Sequence, residues 1–361
     1  MSVHKLSTRL SDGRRLIYFD SSPRRVAASD ARPLPQEQQV GQIRYDALTH
    51  EWVTVAGHRQ TRTFLPSQRS CPLCPSSSEN QTEIPESSYE VVIFENRFPS
   101  LSAPVKNWEL PNLEPFAQAE NAGTCEVVCF TDDHNSTFSE LSPERVGLVI
   151  EAWQDRTADL LSKDFIEYVF IFENFGQDIG VTISHPHGQI YGYPFVPSRA
   201  LQSLSAIKSY ARRTGRHVVD DIIVRELSEE SRIVEITKHW VSFVPFAARW
   251  PFQLQIHPRT PVARFTHLSE EMKAELADLF PRALRQVSGL FDQEVPYIAA
   301  WNQAPNGPLE PYGRLYLDLF TTRRASNKLK YLAGSESAMG AFVNDILPEQ
   351  AAEMLRGVGV H

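Results

Sequence analysis

Ser184-His185-Pro186-His187-Gly188-Gln189-Ile190-Tyr191 packs more chemistry into eight positions than any other stretch of this chain. Two imidazoles stand two residues apart, and a glutamine follows two further on. In an extended strand, residues i, i+2 and i+4 share one face. The spacing therefore predicts that His185, His187 and Gln189 point into one site. The stretch is fed by a glycine-punctuated loop, Glu173-Asn174-Phe175-Gly176 and Asp178-Ile179-Gly180, and that loop follows an apolar strand from Phe165 to Phe172. Upstream, Cys71-Pro72-Leu73-Cys74 has the C-x2-C spacing of a metal knuckle.

The elements around this stretch recur. Ser142-Pro143-Glu144 opens a helix, with Ser as cap, Pro at the first turn and an acid near the helix N-terminus. Val146, Val149, Ile150, Trp153, Leu160 and Leu161 continue it as an apolar stripe. Further on, His267-Leu268-Ser269 opens a second helix striped by Met272, Leu276, Leu279, Phe280 and Ala283, with Pro281 expected to kink it. Each helix follows a strand and precedes an apolar strand, a glycine-containing loop and a further strand. In the first copy that last strand carries His-x-His. In the second, Tyr316-Leu317-Asp318 takes its place. The order and spacing imply two copies of one α+β unit. Residues 198–213 and 217–228 read as helices, Ile43–Asp46 and Glu51–Val55 as a hairpin, and everything before about Val40 as an irregular arm.

Composition narrows the class. A chain of 361 residues that is 42% hydrophobic and 22% charged is a packed globular protein with room for more than one unit. Its net charge of -8 argues against a nucleic-acid footprint, which needs a basic face. No apolar run is long enough to span a bilayer, and Met1-Ser2-Val3-His4-Lys5 is not followed by a signal core, so a cytoplasmic protein is expected. Four cysteines, Cys71, Cys74, Cys125 and Cys129, do not make a disulfide framework in a chain this long. Cys125 and Cys129 lie in an apolar run and read as buried thiols.

Zinc takes four ligands from Cys and His. Cys71 and Cys74 supply two. His134, in a turn after a strand, and His185 are best placed by chain organisation to complete the set, though local sequence leaves His134 open. A neutral imidazole can attack phosphorus and leave again from a phosphoramidate, which suits a transfer in two steps. Gln189 can donate amide hydrogens to a phosphoryl oxygen as charge develops. Taken locally, Gly57-His58-Arg59-Gln60-Thr61-Arg62 is either a solvated basic turn or a phosphate grip.

With these residues in view, the chain resembles the galactose-1-phosphate uridylyltransferase family of the histidine-triad superfamily. The most specific part of the likeness runs from Asn174 to Gln189, and the whole extends from about Ile43 to Leu355. The resemblance implies an α+β fold built as a tandem duplication of a histidine-triad-like unit, with antiparallel sheets and helices packed on one side. The units would be residues 1–195, with the knuckle and the His-Pro-His strand, and 196–361, which lacks the His-x-His pair. It implies a ping-pong transfer of UMP from UDP-glucose to galactose 1-phosphate. His187 would be the nucleophile and Gln189 its phosphoryl partner. Cys71, Cys74, His134 and His185 would hold one structural zinc. Asn96, Phe98, Asn174, Gly180 and Thr182 would contact the nucleotide. Arg59 and Arg62 would reach across a homodimer to the partner's sugar phosphate, and Lys330, Tyr331 and Glu336 would hold the hexose phosphate.

Three departures from the family pattern stand out. Ser203, Asn302, Tyr316 and Asp318 occupy the positions of a second, iron site in some relatives, so no iron is expected. Ser335 replaces a tyrosine beside the hexose. Arg97 replaces an acid beside the nucleotide. Two other readings compete: an ADP-glucose or dinucleoside-polyphosphate phosphorylase or adenylyltransferase of the same superfamily, and a non-enzymatic zinc-stabilised binding protein. His187 and Gln189, beyond the ligand set, argue against the latter.

Overall fold

A computed structural model describes residues 3–23, 26–35, 41–57, 66–104 and 108–359. In chain order its strands begin with β1 (His4–Arg9), β2 (Arg15–Asp20), β3 (Gln42–Asp46), β4 (Glu51–Val55), β5 (Val91–Glu95), β6 (Gln118–Glu120) and β7 (Thr124–Cys129). Helix α1 (Pro143–Leu161) follows, then β8 (Tyr168–Phe175) and β9 (His187–Tyr193). The second half opens with α2 (Ser198–Thr214) and α3 (Val218–Glu229), then β10 (Ile233–Ile236), β11 (Trp240–Phe243) and β12 (Leu254–Pro258). Helix α4 (Glu270–Ser288) precedes β13 (Tyr297–Asn302) and β14 (Tyr316–Thr321). A short ribbon, β15 (Arg323–Ala325) and β16 (Lys328–Leu329), leads to α5 (Gly334–Met339) and α6 (Pro348–Gly357).

Eleven of these strands form one antiparallel sheet, in the order β1-β2-β5-β7-β9-β8-β13-β14-β12-β11-β10. The strand–strand–helix–strand–strand sequence of β5, β7, α1, β8 and β9 returns as β11, β12, α4, β13 and β14. The two copies meet where β8 pairs with β13, Glu173 opposite Ala299 and Ile171 opposite Trp301. Both helices start as their sequences require. Ser142 accepts a hydrogen bond from the Arg145 amide, and Ser269 accepts one from Met272, caps worth about 1 kcal/mol each. Helix α4 continues through Pro281 to Ser288, at the loss of one backbone bond.

Helices α1 and α4 cover one face of the sheet. Between them and the strands lies the main core, in which Trp153, Phe138, Phe265, Phe280 and Trp301 interlock. Arg156 of α1 is fully buried there and forks onto Glu126 of β7 through two 2.8 Å bonds from Nε and Nη2, Nη2 also donating to Asp159 at 2.7 Å. Such a pair keeps the charges tolerable by satisfying them geometrically. The α2–α3 hairpin packs elsewhere. Ile207, Val219 and Ile223 meet Val241 and Phe243. Neighbouring Trp240 belongs to the main core. Adjacent strand residues face opposite ways, so α2 and α3 cover the other side of the sheet over the second copy.

The arm expected to be irregular is partly strand. β1 and β2 form a hairpin, and β2 pairs with β5, which extends the sheet. Leu16-Ile17-Tyr18-Phe19 is buried throughout. That run is β-prone and apolar, but it is short and set among Ser, Arg and Pro, which hid it.

At the seam, Glu173 of β8 is buried on the helix-covered side, and loss of hydration pushes its carboxyl up to about 8, the Tyr297 hydroxyl pulling it part of the way back. The folded chain thus holds this proton to near pH 8, whereas the unfolded chain releases it above the ordinary glutamate range. Stability attributable to Glu173 must therefore fall as pH rises between those limits. Urea denaturation of the wild type and Glu173→Gln at pH 5 and pH 8 checks this. The variant should gain on the wild type by on the order of 3 kcal/mol over that interval. Parallel pH profiles would contradict the assignment.

Candidate active site

The loop after β8 delivers the histidines. Gly176 has φ of 96° and packs on Pro296, where a Cβ would approach within 2.8 Å of the proline ring. Gly180 closes the turn Gln177–Ile179 in the left-handed region at φ 82°, a conformation glycine adopts freely. Strand β9 then begins at His187, not at His185. It pairs with β7, Cys129 opposite His187 and Val127 opposite Gln189. His187 and Gln189 share the sheet face away from α1. His185 precedes the strand and is almost wholly buried; it lies on the same side of the sheet, against Tyr89, which packs with Val127 and Cys129, but turns into a neighbouring cluster rather than out beside Gln189. The proline between the two histidines separates a packed position from a site-facing one.

That cluster comprises Cys71, Cys74, His134 and His185. Their ligating atoms all lie within 4.8 Å of one another. Cys74 Sγ is 3.3 Å from His134 Nδ1 and 3.6 Å from His185 Nδ1. His185 Nε2 lies 2.8 Å from the Thr131 carbonyl oxygen and 2.8 Å from the Tyr89 hydroxyl. The carbonyl only accepts, so Nε2 carries the hydrogen and Nδ1 turns its lone pair to the thiols. The Tyr89 hydroxyl itself donates to the Leu73 carbonyl at 2.9 Å. Burial holds His185 down at about 4, hence neutral. Burial, with Cys71 beside it, pushes the Cys74 thiol up to about 12. Two sulfurs and two imidazole lone pairs thus converge with no positive charge among them. This is a donor set suited to a soft divalent cation, which would favour the thiolates. Among the described residues, it is the one group of three or more His, Cys, Asp or Glu side chains so arranged.

His187 stands next to it. Its Nδ1 donates to the His185 carbonyl oxygen at 2.7 Å, which leaves the Nε2 lone pair free. Burial holds its imidazolium below the usual histidine range. Gln189 Oε1 accepts from the Tyr191 hydroxyl at 3.0 Å, so its amide hydrogens are directed elsewhere. His187, Gln189, Thr182, Asn96 and Phe98 line one cavity of about 150 Å³. Leu73, Val127 and Ile183 provide apolar walls, and Glu83 and Arg97 charged ones. Asn96 folds its own side chain onto the Phe98 amide at 2.8 Å, which shapes the rim. A second cavity of about 220 Å³ adjoins and shares Asn96, Arg97 and Phe98. A neutral imidazole, a positioned amide and an apolar slot suit nucleophilic attack on a phosphoryl group carrying an aromatic base.

Other anticipated residues fall elsewhere. Asn174 lines a smaller cavity behind the loop, which also touches His187. Lys330 and Glu336 pair with each other at 2.5 Å, Lys330 also reaching the Val343 carbonyl, and Tyr331 is exposed. None of these three lines the His187 cavity. Arg59 and Arg62 lie outside the described residues. Residues not anticipated include Tyr89, which orients His185, and Leu73, Val127 and Glu83 in the cavity wall. Leu73 was signalled by its place inside the C-x2-C pair. Tyr89 and Glu83 carry no local signal and become legible only when β5, β7 and β9 are paired. Arg97 replaces the expected acid. Its guanidinium lies over the Phe98 ring at 5.7 Å and 3.9 Å from Glu83, which Arg14 and Arg32 already hold at 2.6 and 3.0 Å.

The equivalent surface of the second copy carries other side chains, and Ser203, His257, Asn302 and Tyr316 border a cavity of about 260 Å³ there. Asp318 accepts from Gln253 and Gln255 at 2.7 and 3.4 Å. Tyr316 stacks on His257, and Phe320 on Trp250.

Comparison with known proteins gives the family. Two family models match, galactose-1-phosphate uridyl transferase N-terminal domain over residues 33–197 and C-terminal domain over residues 203–361. A galactose-1-phosphate uridylyltransferase of Streptomyces lividans is 38% identical over 99% of this chain and 98% of its own length. One from Thermotoga maritima is 36% identical over 87% of this chain and 98% of its own. A solved structure of a uridylyltransferase superposes with a TM-score of 0.78 at 29% identity, covering 88% of this chain and 98% of that one. The chain belongs to the galactose-1-phosphate uridyl transferase family.

Proposed function

We propose that this chain is a uridylyltransferase that moves UMP from UDP-glucose to galactose 1-phosphate through a covalent uridylyl-His187. The observation that carries the reading is the 2.7 Å bond from His187 Nδ1 to the His185 carbonyl, because it commits the other nitrogen to attack. Nε2 attacks the α-phosphorus of UDP-glucose, and the bridging P–O bond breaks to release glucose 1-phosphate. The ring then carries a positive charge, which the His185 carbonyl stabilises through the Nδ1–H. A phosphate oxygen of galactose 1-phosphate next attacks the same phosphorus and expels the neutral imidazole. Leaving group and acceptor are both phosphates, so neither step needs a general base. Gln189 donates to the non-bridging oxygens as their charge grows. Asn96, Phe98, Asn174, Gly180 and Thr182 hold the nucleotide, the base lying against Leu73, Val127 and Phe98.

In this reading Cys71, Cys74, His134 and His185 hold one zinc. Four protein ligands close the site, so its part is to brace the His185 backbone. No iron is assigned to Ser203, Asn302, Tyr316 and Asp318, since that set offers hydroxyls, an amide and a carboxyl already bonded to Gln253 and Gln255. Residues 1–195 and 196–361 are two histidine-triad-like units, one active and one without the His-x-His pair. Lys330, Tyr331 and Glu336 hold the hexose phosphate, with Arg59 and Arg62 supplied by the partner in a homodimer. No helix among the described residues is long and apolar enough to cross a membrane. We place the enzyme in the cytoplasm, with no nucleic-acid partner.

Exchange of labelled glucose 1-phosphate into UDP-glucose, without galactose 1-phosphate, tests the two-step route. The wild type should exchange and His187→Ala should not. Net transfer without exchange would overturn the covalent route, and faster exchange into ADP-glucose would move the enzyme to the adenylyl reading that Arg97 invites. The brace has its own test. Tyr89→Phe removes one of the two groups that orient His185, so metal affinity should fall about tenfold in competition with a chromogenic chelator. An unchanged affinity would show that Tyr89 does not orient the ligand.

A further inference from the structure

Arg14, at the turn between β1 and β2, reaches from the first hairpin of the chain into the wall of the active site. Its Nη2 donates to Glu83 at 2.6 Å, its Nη1 to the Glu95 carbonyl at 2.8 Å and its Nε to Asp12 at 2.7 Å. Glu83 borders the His187 cavity, and Glu95 immediately precedes Asn96. Arg32 holds Glu83 as well, at 3.0 Å, and is itself clamped by Asp30 at 2.8 and 2.9 Å. Forked, charge-assisted bonds of this kind fix both partners. The family match begins at residue 33, so Asp12, Arg14 and Arg32 stand before it.

Asp12, Arg14 and Leu34 also line the cavity of about 220 Å³, together with Phe98 and Cys125. Cys125 and Val127 alternate onto one face of β7, paired with Tyr191 and Gln189 of β9. This cavity therefore lies beside the His187 cavity on the same face of the sheet. The His187 cavity holds only about 150 Å³, whereas sites that enclose a ligand of drug size run from about 300 to 1,000 Å³. A nucleotide needs more room than the His187 cavity offers, and the neighbouring cavity supplies it. Arg97 lines both. With Glu83 already held by Arg14 and Arg32, the Arg97 guanidinium stays 3.9 Å from that carboxylate, outside hydrogen-bond reach. A guanidinium only donates, so at this border it suits the acceptor atoms of a ligand.

We propose that the two cavities form one nucleotide site and that the segment before residue 36 completes it. Asp12, Arg14 and Leu34 enclose the nucleoside end of the donor, past Phe98, while its phosphates meet His187. The inference rests on reading the donor as a nucleoside diphosphate sugar. None of these three residues touches the reacting atoms. Their part is to hold the nucleotide, so their loss weakens capture of the donor and spares the acceptor, which meets an enzyme already carrying the nucleotide.

Titration calorimetry and hydrogen exchange on the full-length protein, with UMP and AMP as probes, test this. In the wild type, the tighter of the two nucleotides should slow amide exchange in residues 10–15. Leu34→Trp narrows the second cavity from a partly exposed position, and Arg14→Gln releases Glu83. Each should weaken nucleotide binding and lower kcat/KM for UDP-glucose about tenfold, with kcat/KM for galactose 1-phosphate within about twofold of wild type. Ala31→Trp adds bulk to an exposed residue of the same segment that does not line the cavity, and should change neither. Unchanged nucleotide affinity in Leu34→Trp or in Arg14→Gln would overturn the proposal. A wild type that transfers uridylyl groups without protection of residues 10–15 would also overturn it, and would spare the functional reading. One that binds a nucleotide with that protection yet transfers nothing would overturn the functional reading and spare the site. One that binds neither nucleotide would overturn both.

Discussion

The bond from the His187 imidazole to the carbonyl of His185 is the constraint on which the site depends. Two residues apart, one histidine turns inward to the Cys71–Cys74–His134 cluster, and its backbone oxygen fixes the tautomer of the other. The cluster acts on the backbone, since His185 is held by its ring at Nδ1 and Nε2 together. Its carbonyl is thereby placed to accept from His187. Strand β9 then carries Gln189 to the same cavity by simple alternation, and Gly188 keeps the turn of the strand close to Phe130, where a Cβ would come within 2.7 Å of the ring. The Cys/His cluster, the tautomer of His187 and the placing of Gln189 are three consequences of one short stretch of backbone.

The two copies share one sheet but not one fate. On the face away from α1 and α4, the first copy is open and lined by His187 and Gln189. Over the second copy the α2–α3 hairpin packs on that face, Tyr316 stacks on His257 and Phe320 on Trp250, and a cavity of about 260 Å³ remains between the hairpin and Tyr316. The second copy extends the sheet. Its β13 pairs with β8, so the strand that carries Asn174 has neighbours on both sides. A buried carboxyl, Glu173, sits at that joint and makes it sensitive to pH.

Much of this was legible in the sequence because it was encoded locally. Ser142-Pro143-Glu144 and Ser269 mark helix starts by cap chemistry, and the repeated order of strands and helices marks the duplication. The cavity residues Asn96, Phe98, Thr182, His187 and Gln189 came together where the motif and the family resemblance put them. What was missed depends on distant pairing. The β1–β2 hairpin looked like an arm because its apolar run is only four residues long. His185 turns into the neighbouring cluster rather than out beside Gln189 because strand β9 begins only after Pro186. Tyr89 and Glu83 acquire roles only once β5 and the loop before it lie beside the motif. The exposed Tyr331 and the Lys330–Glu336 pair do not line the His187 cavity.

Intact mass of the protein after mixing with UDP-glucose alone bears most directly on the central claim, that His187 is the atom donor to phosphorus. The account predicts a gain of one UMP, mapped by peptide analysis to His187 and lost when galactose 1-phosphate is added. A protein that turns over substrate yet never gains the UMP, or gains it at another residue, would contradict it.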